Sequence, residues 1–137
     1  MRIDEISTPV AEQSTPTFQV LFRNEDGEET VPESLKWDLS AMDGTVIALD
    51  QSVAVPAATS NITLTAAQTR FLQDETKRAE RLLSLYAVYN SDYGLSLIAR
   101  KQIKFTIEQF TMIGYPISVS VWELILTDDY PRDIGVV

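Results

Sequence analysis

Two long runs of alternating side chains, joined by a turn, constrain this chain more than any other feature in it. In Leu82-Leu83-Ser84-Leu85-Tyr86-Ala87-Val88-Tyr89, the residues Leu83, Leu85, Ala87 and Tyr89 fall at every second position, which places them on one face of a strand. Asn90-Ser91-Asp92-Tyr93-Gly94 follows, rich in residues that accept tight bends. Beyond the turn, Lys101-Gln102-Ile103-Lys104-Phe105-Thr106-Ile107-Glu108 alternates Ile103, Phe105 and Ile107 with polar neighbours. Together they make a β-hairpin with one apolar face, and such a face needs a second layer to cover it. The chain therefore reads as an all-β, two-sheet sandwich.

The remaining segments supply the other strands. Pro9 and Pro16 limit ladder hydrogen bonding in residues 6–16, which suits an edge strand or an extended arm. Phe18, Val20 and Phe22 alternate in a half-buried strand, and Asn24-Glu25-Asp26-Gly27-Glu28-Glu29 is an acidic turn. Leu35, Trp37 and Leu39 share a face, with Trp37 the largest single core candidate. Asp43-Gly44 between two apolar runs signals a hairpin, because both residues accept positive φ. Val46-Ile47-Ala48-Leu49 is then the return strand, Val53-Ala54-Val55-Pro56 a short edge strand, and Ile62 and Leu64 another inward pair.

At Thr65-Ala66-Ala67-Gln68-Thr69-Arg70-Phe71-Leu72 the period changes, and the composition suits one or two helical turns with Thr65 as cap. The expected body is an immunoglobulin- or fibronectin-III-type Greek-key sandwich of about seven strands over residues 1–110, with one short helical crossover. A jelly roll or small barrel is the rival architecture. Residues 111–137 form a carboxy-terminal extension, surplus to that body.

At 137 residues the chain can bury a core without disulfides, and it has no cysteine to form them. It also has no histidine. The usual zinc and copper sites therefore cannot be assembled, nor can a Ser-His-Asp or Cys-His nucleophile. With 20 acidic against 11 basic residues the formal charge is −9, a field that repels phosphate backbones, so no nucleic-acid partner is expected. No membrane span is expected either, because no apolar run is long enough, and the amino terminus lacks the apolar core of a signal peptide.

Several clusters deserve a chemical reading beside the plain one. The acidic turn 24–29 offers calcium-type oxygen ligands but lacks the spacing of an EF-hand loop, so a solvated turn is the plain reading; Asp128-Asp129 is treated alike. Paired acids for glycoside cleavage have no specificity in so acidic a chain. Tyr86, Tyr89, Tyr93 and Tyr115, with Trp122, would make a sugar platform if they shared a face, but the periodicity sends Tyr89 inward and Tyr86 outward. Lys77-Arg78 with Arg81, and Arg100-Lys101, read as local solvated charge. No catalytic, metal-ligating or cofactor-binding residue is singled out, and no enzyme activity is expected.

The apolar run 117–126 carries two open readings. Either it adds a strand to the domain's own sheet, or it is an arm that binds a neighbouring subunit by strand addition through Ile117, Val119, Val121, Trp122, Leu124 and Leu126. The Gly114-Tyr115-Pro116 break before it and the polar tail after it favour the arm.

The order Ile6-Ser7-Thr8-Pro9-Val10-Ala11-Glu12-Gln13-Ser14-Thr15, then Pro32-Glu33-Ser34-Leu35-Lys36-Trp37-Asp38-Leu39 with Met42-Asp43-Gly44-Thr45-Val46, then residues 81–91 and Lys104-Phe105-Thr106-Ile107-Glu108, resembles small immunoglobulin-like virion proteins of tailed bacteriophages. The likeness covers about the first 110 residues and contains no catalytic motif. It implies a capsid decoration, head-neck-tail accessory or similar structural role. Its partners would be the major capsid protein or other virion proteins, its location the virion, and its state a homo-oligomer or many copies on a lattice. A carbohydrate or host-surface binding module using tyrosines in the 90–94 turn is the alternative.

Overall fold

The computed structural model describes residues 3–6 and 8–109, and the backbone of residues 120–125 and 131–136. Its strands are β1 (Ile3–Glu5), β2 (Val10–Ala11), β3 (Thr17–Leu21), β4 (Ser34–Ala41), β5 (Val46–Ser52), β6 (Thr59–Thr63), β7 (Arg78–Ser91), β8 (Gly94–Glu108), β9 (Ser120–Ile125) and β10 (Pro131–Val136). Sheet A runs β1-β8-β7-β4-β5 with β2 also on β8, and sheet B runs β10-β9-β3-β6. The architecture is all-β and sandwich-like.

The hairpin forms the middle of sheet A. Its arms pair antiparallel from Arg78↔Glu108 to Ser91↔Gly94, and β4 lies on the other side of β7 from Ser34↔Val88 to Ala41↔Arg81. Leu83, Leu85, Ala87 and Tyr89 of β7 are buried beside Ile103, Phe105 and Ile107 of β8 and Leu35, Trp37 and Leu39 of β4. Sheet B supplies Phe18 and Val20 from β3 and Ile62 from β6, with Phe22 and Leu64 buried just past the strand ends. Aromatic contacts join the layers: Phe18 meets Phe105 with ring centres 5.4 Å apart, and Phe22 meets Tyr89 edge-on at 4.9 Å. Removing either phenylalanine from such a site costs about 3–5 kcal/mol.

Local chemistry sets the connections. In the β4–β5 hairpin, Gly44 takes a φ of +96° and donates its N–H to the Ala41 carbonyl at 3.0 Å, while Asp43 accepts the Thr45 N–H at 2.9 Å. The amino-terminal strand is an interrupted edge. Between Ile3↔Gln102 and Val10↔Ile107 it advances seven residues while β8 advances five, so the parallel pairing breaks around Pro9. Ile6 and Val10 are nevertheless buried.

Three expectations change. No helix occurs among the described residues; residues 65–69 make a single capped turn instead. Thr65 Oγ1 accepts the Gln68 N–H at 3.2 Å and Gln68 Oε1 accepts the Thr65 N–H at 2.8 Å, a reciprocal capping box. The turn does not propagate because Thr69 is buried, its hydroxyl donating to the Ser14 carbonyl at 2.7 Å, and Phe71 packs on the core. One nucleated turn is easily overridden by such tertiary contacts. Next, Val53, Ala54, Val55 and Pro56 are not a strand; the edge beyond β4 is β5, which ends at Ser52.

The third change concerns the carboxy-terminal segment. β9 lies in the chain's own sheet B, parallel to β3 from Thr17↔Val121 to Leu21↔Ile125, with β10 antiparallel on its far side. Residues 120–125 thus form an added strand of the chain's own sheet. The strand is not surplus, since without β9 and β10 sheet B would retain only β3 and β6. Main-chain pairing on both sides of β3 is what makes it an interior strand.

Truncation after Gln109 tests this directly. We expect the shortened chain to lose its cooperative thermal transition, because β3 is left with an open edge under a broad apolar sheet. Circular dichroism melting of the two forms checks it.

Candidate functional site

The inward row of β7 reads Ala79, Arg81, Leu83, Leu85, Ala87, Tyr89, so that polar groups at Arg81 and Tyr89 bracket its apolar middle. Arg81 is fully buried at 0% exposure. Its guanidinium grips Glu75 through both carboxylate oxygens at 2.8 and 2.5 Å and donates to the Glu80 and Arg70 carbonyls at 2.9 and 3.4 Å. Arg81 Nε, also buried, has no hydrogen-bond partner among the described residues. The carboxyl of Glu75 is held below its ordinary 4.5, chiefly by Arg81 and also by the Leu72 N–H. The β6–β7 crossover is thereby tied to the core. It is tied also to the β2–β3 crossover: Gln13 N donates to the Thr69 carbonyl at 3.2 Å, and Phe71 N to Glu12 at 3.4 Å.

At the other end, the Tyr89 hydroxyl donates to Glu25 and the Ser91 hydroxyl to the same carboxylate at 2.9 Å. The Tyr89 bond pulls the Glu25 carboxyl down, and Glu25 in turn pushes the Tyr89 phenol up to about 12. The acidic turn 24–29 is therefore a latch for the hairpin. Among the described residues, no group of three or more acidic side chains stands together as a metal site.

Sequence reading treats Arg81 and Lys101 as solvated, and both are corrected. Lys101 is 5% exposed and its ammonium lies 3.2 Å from the buried Asp4 carboxylate, which pins β1 to β8. Both cations share parity with apolar neighbours, Arg81 with Leu83 and Lys101 with Ile103. That parity was the available signal. Each buried ion pair fixes a connection whose removal on one side leaves a charge stranded.

The outer face of sheet A holds a shallow hollow of about 520 Å3, lined by Lys36, Asp38, Asp50, Ser84, Tyr86, Arg100 and Gln102 among others. Cross-strand registry places Lys36, Tyr86 and Arg100 in one row, with Asp38, Ser84 and Gln102 in the next. The Arg100 guanidinium lies 5.1 Å from the Tyr86 ring centre, a cation–π contact. Gln102 donates to Ser84 at 3.2 Å. On the β5 side, Asp50 adopts a φ of +55°, donates its N–H to Asp38 at 2.6 Å and sits 3.5 Å from the Lys36 ammonium. The hollow has a cationic pole on β8 and an anionic one beside β5.

The described tyrosines do not converge on one platform. Tyr89 is in the core, Tyr86 lies under Arg100 on the outer face, and Tyr93 stands 69% exposed at the hairpin tip beside the exposed Leu95. Tyr115 lies outside the described residues. Of the proposed contact residues, Val121, Trp122 and Leu124 lie in β9, opposite Thr17, Phe18 and Val20; Ile117, Val119 and Leu126 lie outside the described residues. Neither a protein-family model nor a curated protein matches the chain.

The Arg81 clamp is asymmetric, and so is the expected cost of breaking it. Glu75→Ala strands a fully buried guanidinium and should lower stability by about 3–5 kcal/mol. Arg81→Met leaves a carboxylate that reaches water and should cost less; urea unfolding of both variants decides. The latch predicts a pH profile. Glu25 and Glu75 have folded values below 4.5, so their contribution is complete above it and is lost as pH falls through the depressed values. Tyr89 acts oppositely, contributing fully below 10.0 and fading as pH rises towards about 12. Tyr89→Phe should erase the alkaline limb and shrink the acid one in chemical denaturation against pH.

Proposed function

We propose that the chain is a non-enzymatic structural protein of a tailed-phage particle, an immunoglobulin-like Greek-key sandwich present in several copies that binds other virion proteins. The observation that carries this reading is the hairpin tip. β7 and β8 run past the end of β4, and the Glu25 latch holds their tip while Tyr93, Leu95 and Ile98 stay exposed. A stiff projection with apolar side chains at its end suits contact with protein, because little ordering entropy is lost on docking.

Two further features support it. The chain crosses repeatedly between sheets, from β2 to β3, β3 to β4, β5 to β6 and β6 to β7, as Greek-key sandwiches do. The buried charged groups Asp4, Arg81 and Lys101 hold strands and crossovers together, which favours a scaffold over a catalyst. Many copies on a lattice would let weak individual contacts sum.

Mass spectrometry of purified particles from cells carrying the gene tests the proposal. We expect peptides of this chain at a fixed ratio to the major capsid protein, and an unchanged ratio after a second density gradient. Recovery in the soluble lysate alone would overturn the virion reading. The exposure of Tyr93 favours a glycan-binding module as the second reading, for which saturable binding on a glycan array is the discriminating result.

A further inference from the structure

Arg100 stands apart from the lysines of sheet A. Lys36 has Asp50, Lys101 has Asp4, and Lys104 has both Glu80 at 3.1 Å and Glu5 at 3.7 Å. Among the described residues Arg100 has no carboxylate partner; its guanidinium rests on Tyr86. Stacking on the ring orients the planar N–H fork, which matches a carboxylate in geometry as well as charge. In a chain of formal charge −9, this is a preorganised acceptor for an acidic group.

The same chain displays such a group at its hairpin end. Asp26, Glu28 and Glu29 are exposed on the turn 24–29. Asn24 Oδ1 accepts the N–H groups of Asp26 and Glu28, each at 3.0 Å, and Gly27, at a φ of +79°, donates to the Asn24 carbonyl at 3.0 Å. The carboxylates are thus held on a stiff turn. They do not serve their own Arg100, because Glu25 pins the turn to Tyr89 on the inner face of sheet A, and Arg100 projects from the outer face.

From this complementarity we infer that the Arg100–Tyr86 pole of the sheet A hollow receives the acidic 24–29 turn of a second copy of the chain. The contact deepens the multi-copy reading above and rests on it. Its two halves are different patches, so it is heterologous and propagates into a row or ring instead of closing as a symmetric pair. Repulsion between two acidic copies is screened beyond about 8 Å at physiological salt, which leaves the short-range pairing to decide.

Sedimentation velocity of the full chain over a range of concentrations at ~0.15 M salt tests it. The average mass should rise with concentration and fall again at ~1 M salt. Arg100→Glu, and separately Glu28→Lys with Glu29→Lys, should each weaken association by roughly tenfold or more. An equimolar mixture of the two variants should associate again, since each then supplies the charge the other lacks. Unchanged circular dichroism melts show that both variants fold. A wild-type chain that stays monomeric, association indifferent to either variant, or a mixture that fails to recover would overturn the contact. The particle assay is independent: a chain found in particles yet monomeric in solution removes this contact and keeps the virion reading, whereas one that self-associates but is absent from particles does the reverse.

Discussion

Strand β7 governs this fold because its inward side carries an apolar middle bracketed by two polar groups, Arg81 and Tyr89. Leu83, Leu85 and Ala87 form the floor of the core, Arg81 reaches for Glu75 at one end, and Tyr89 reaches for Glu25 at the other. At roughly 3.4 Å per residue the eight steps from Arg81 to Tyr89 span about 27 Å, the working length of the sandwich. Each end holds a connection between the sheets. A single strand thereby sets both the layer to be covered and the loops that close the ends, which is why a mispaired β7 would disturb every neighbour at once.

The second layer depends on a long-range decision. β3 is bonded to β6 on one side and to β9 on the other, so half of sheet B comes from the far end of the chain. Parallel pairing between β3 and β9 brings together segments about a hundred residues apart, and such loop closure is slow compared with hairpin formation. The β7–β8 hairpin and the β4–β5 hairpin, by contrast, pair segments adjacent in the chain.

Much of this was legible in the residues. Strict alternation marks the inward side chains of β4, β7 and β8, and Asp43-Gly44 marks its turn, because a one-residue slip would put Leu83 or Phe105 in water. What alternation cannot announce is an inward residue that is charged. Arg81 and Lys101 sit in the apolar parity, and only the presence of Glu75 and Asp4 opposite them makes burial tolerable. The capping box at Thr65 was legible too, but not the pull of Ser14 on Thr69 that ends the turn. The partner of β9 was hidden for a different reason: an apolar alternating run fits any open sheet edge, in its own subunit or another. Likewise the pairing of Tyr86 with Arg100 needs the register of β7 against β8, which a list of exposed tyrosines does not contain.

The outer and inner faces of sheet A thus divide the labour. Inside, ion pairs at the margins lock strands and crossovers; outside, Arg100 lies over the Tyr86 ring. The central claim beneath both is that the two sheets are one cooperative body including β9. Native-state hydrogen exchange measures this most directly. If the account is right, the ladder amides of β3 exchange with the same opening free energy as those of β7 and β8, all through global unfolding. Amides of β3 that open far more readily while the β7–β8 amides stay protected would contradict it.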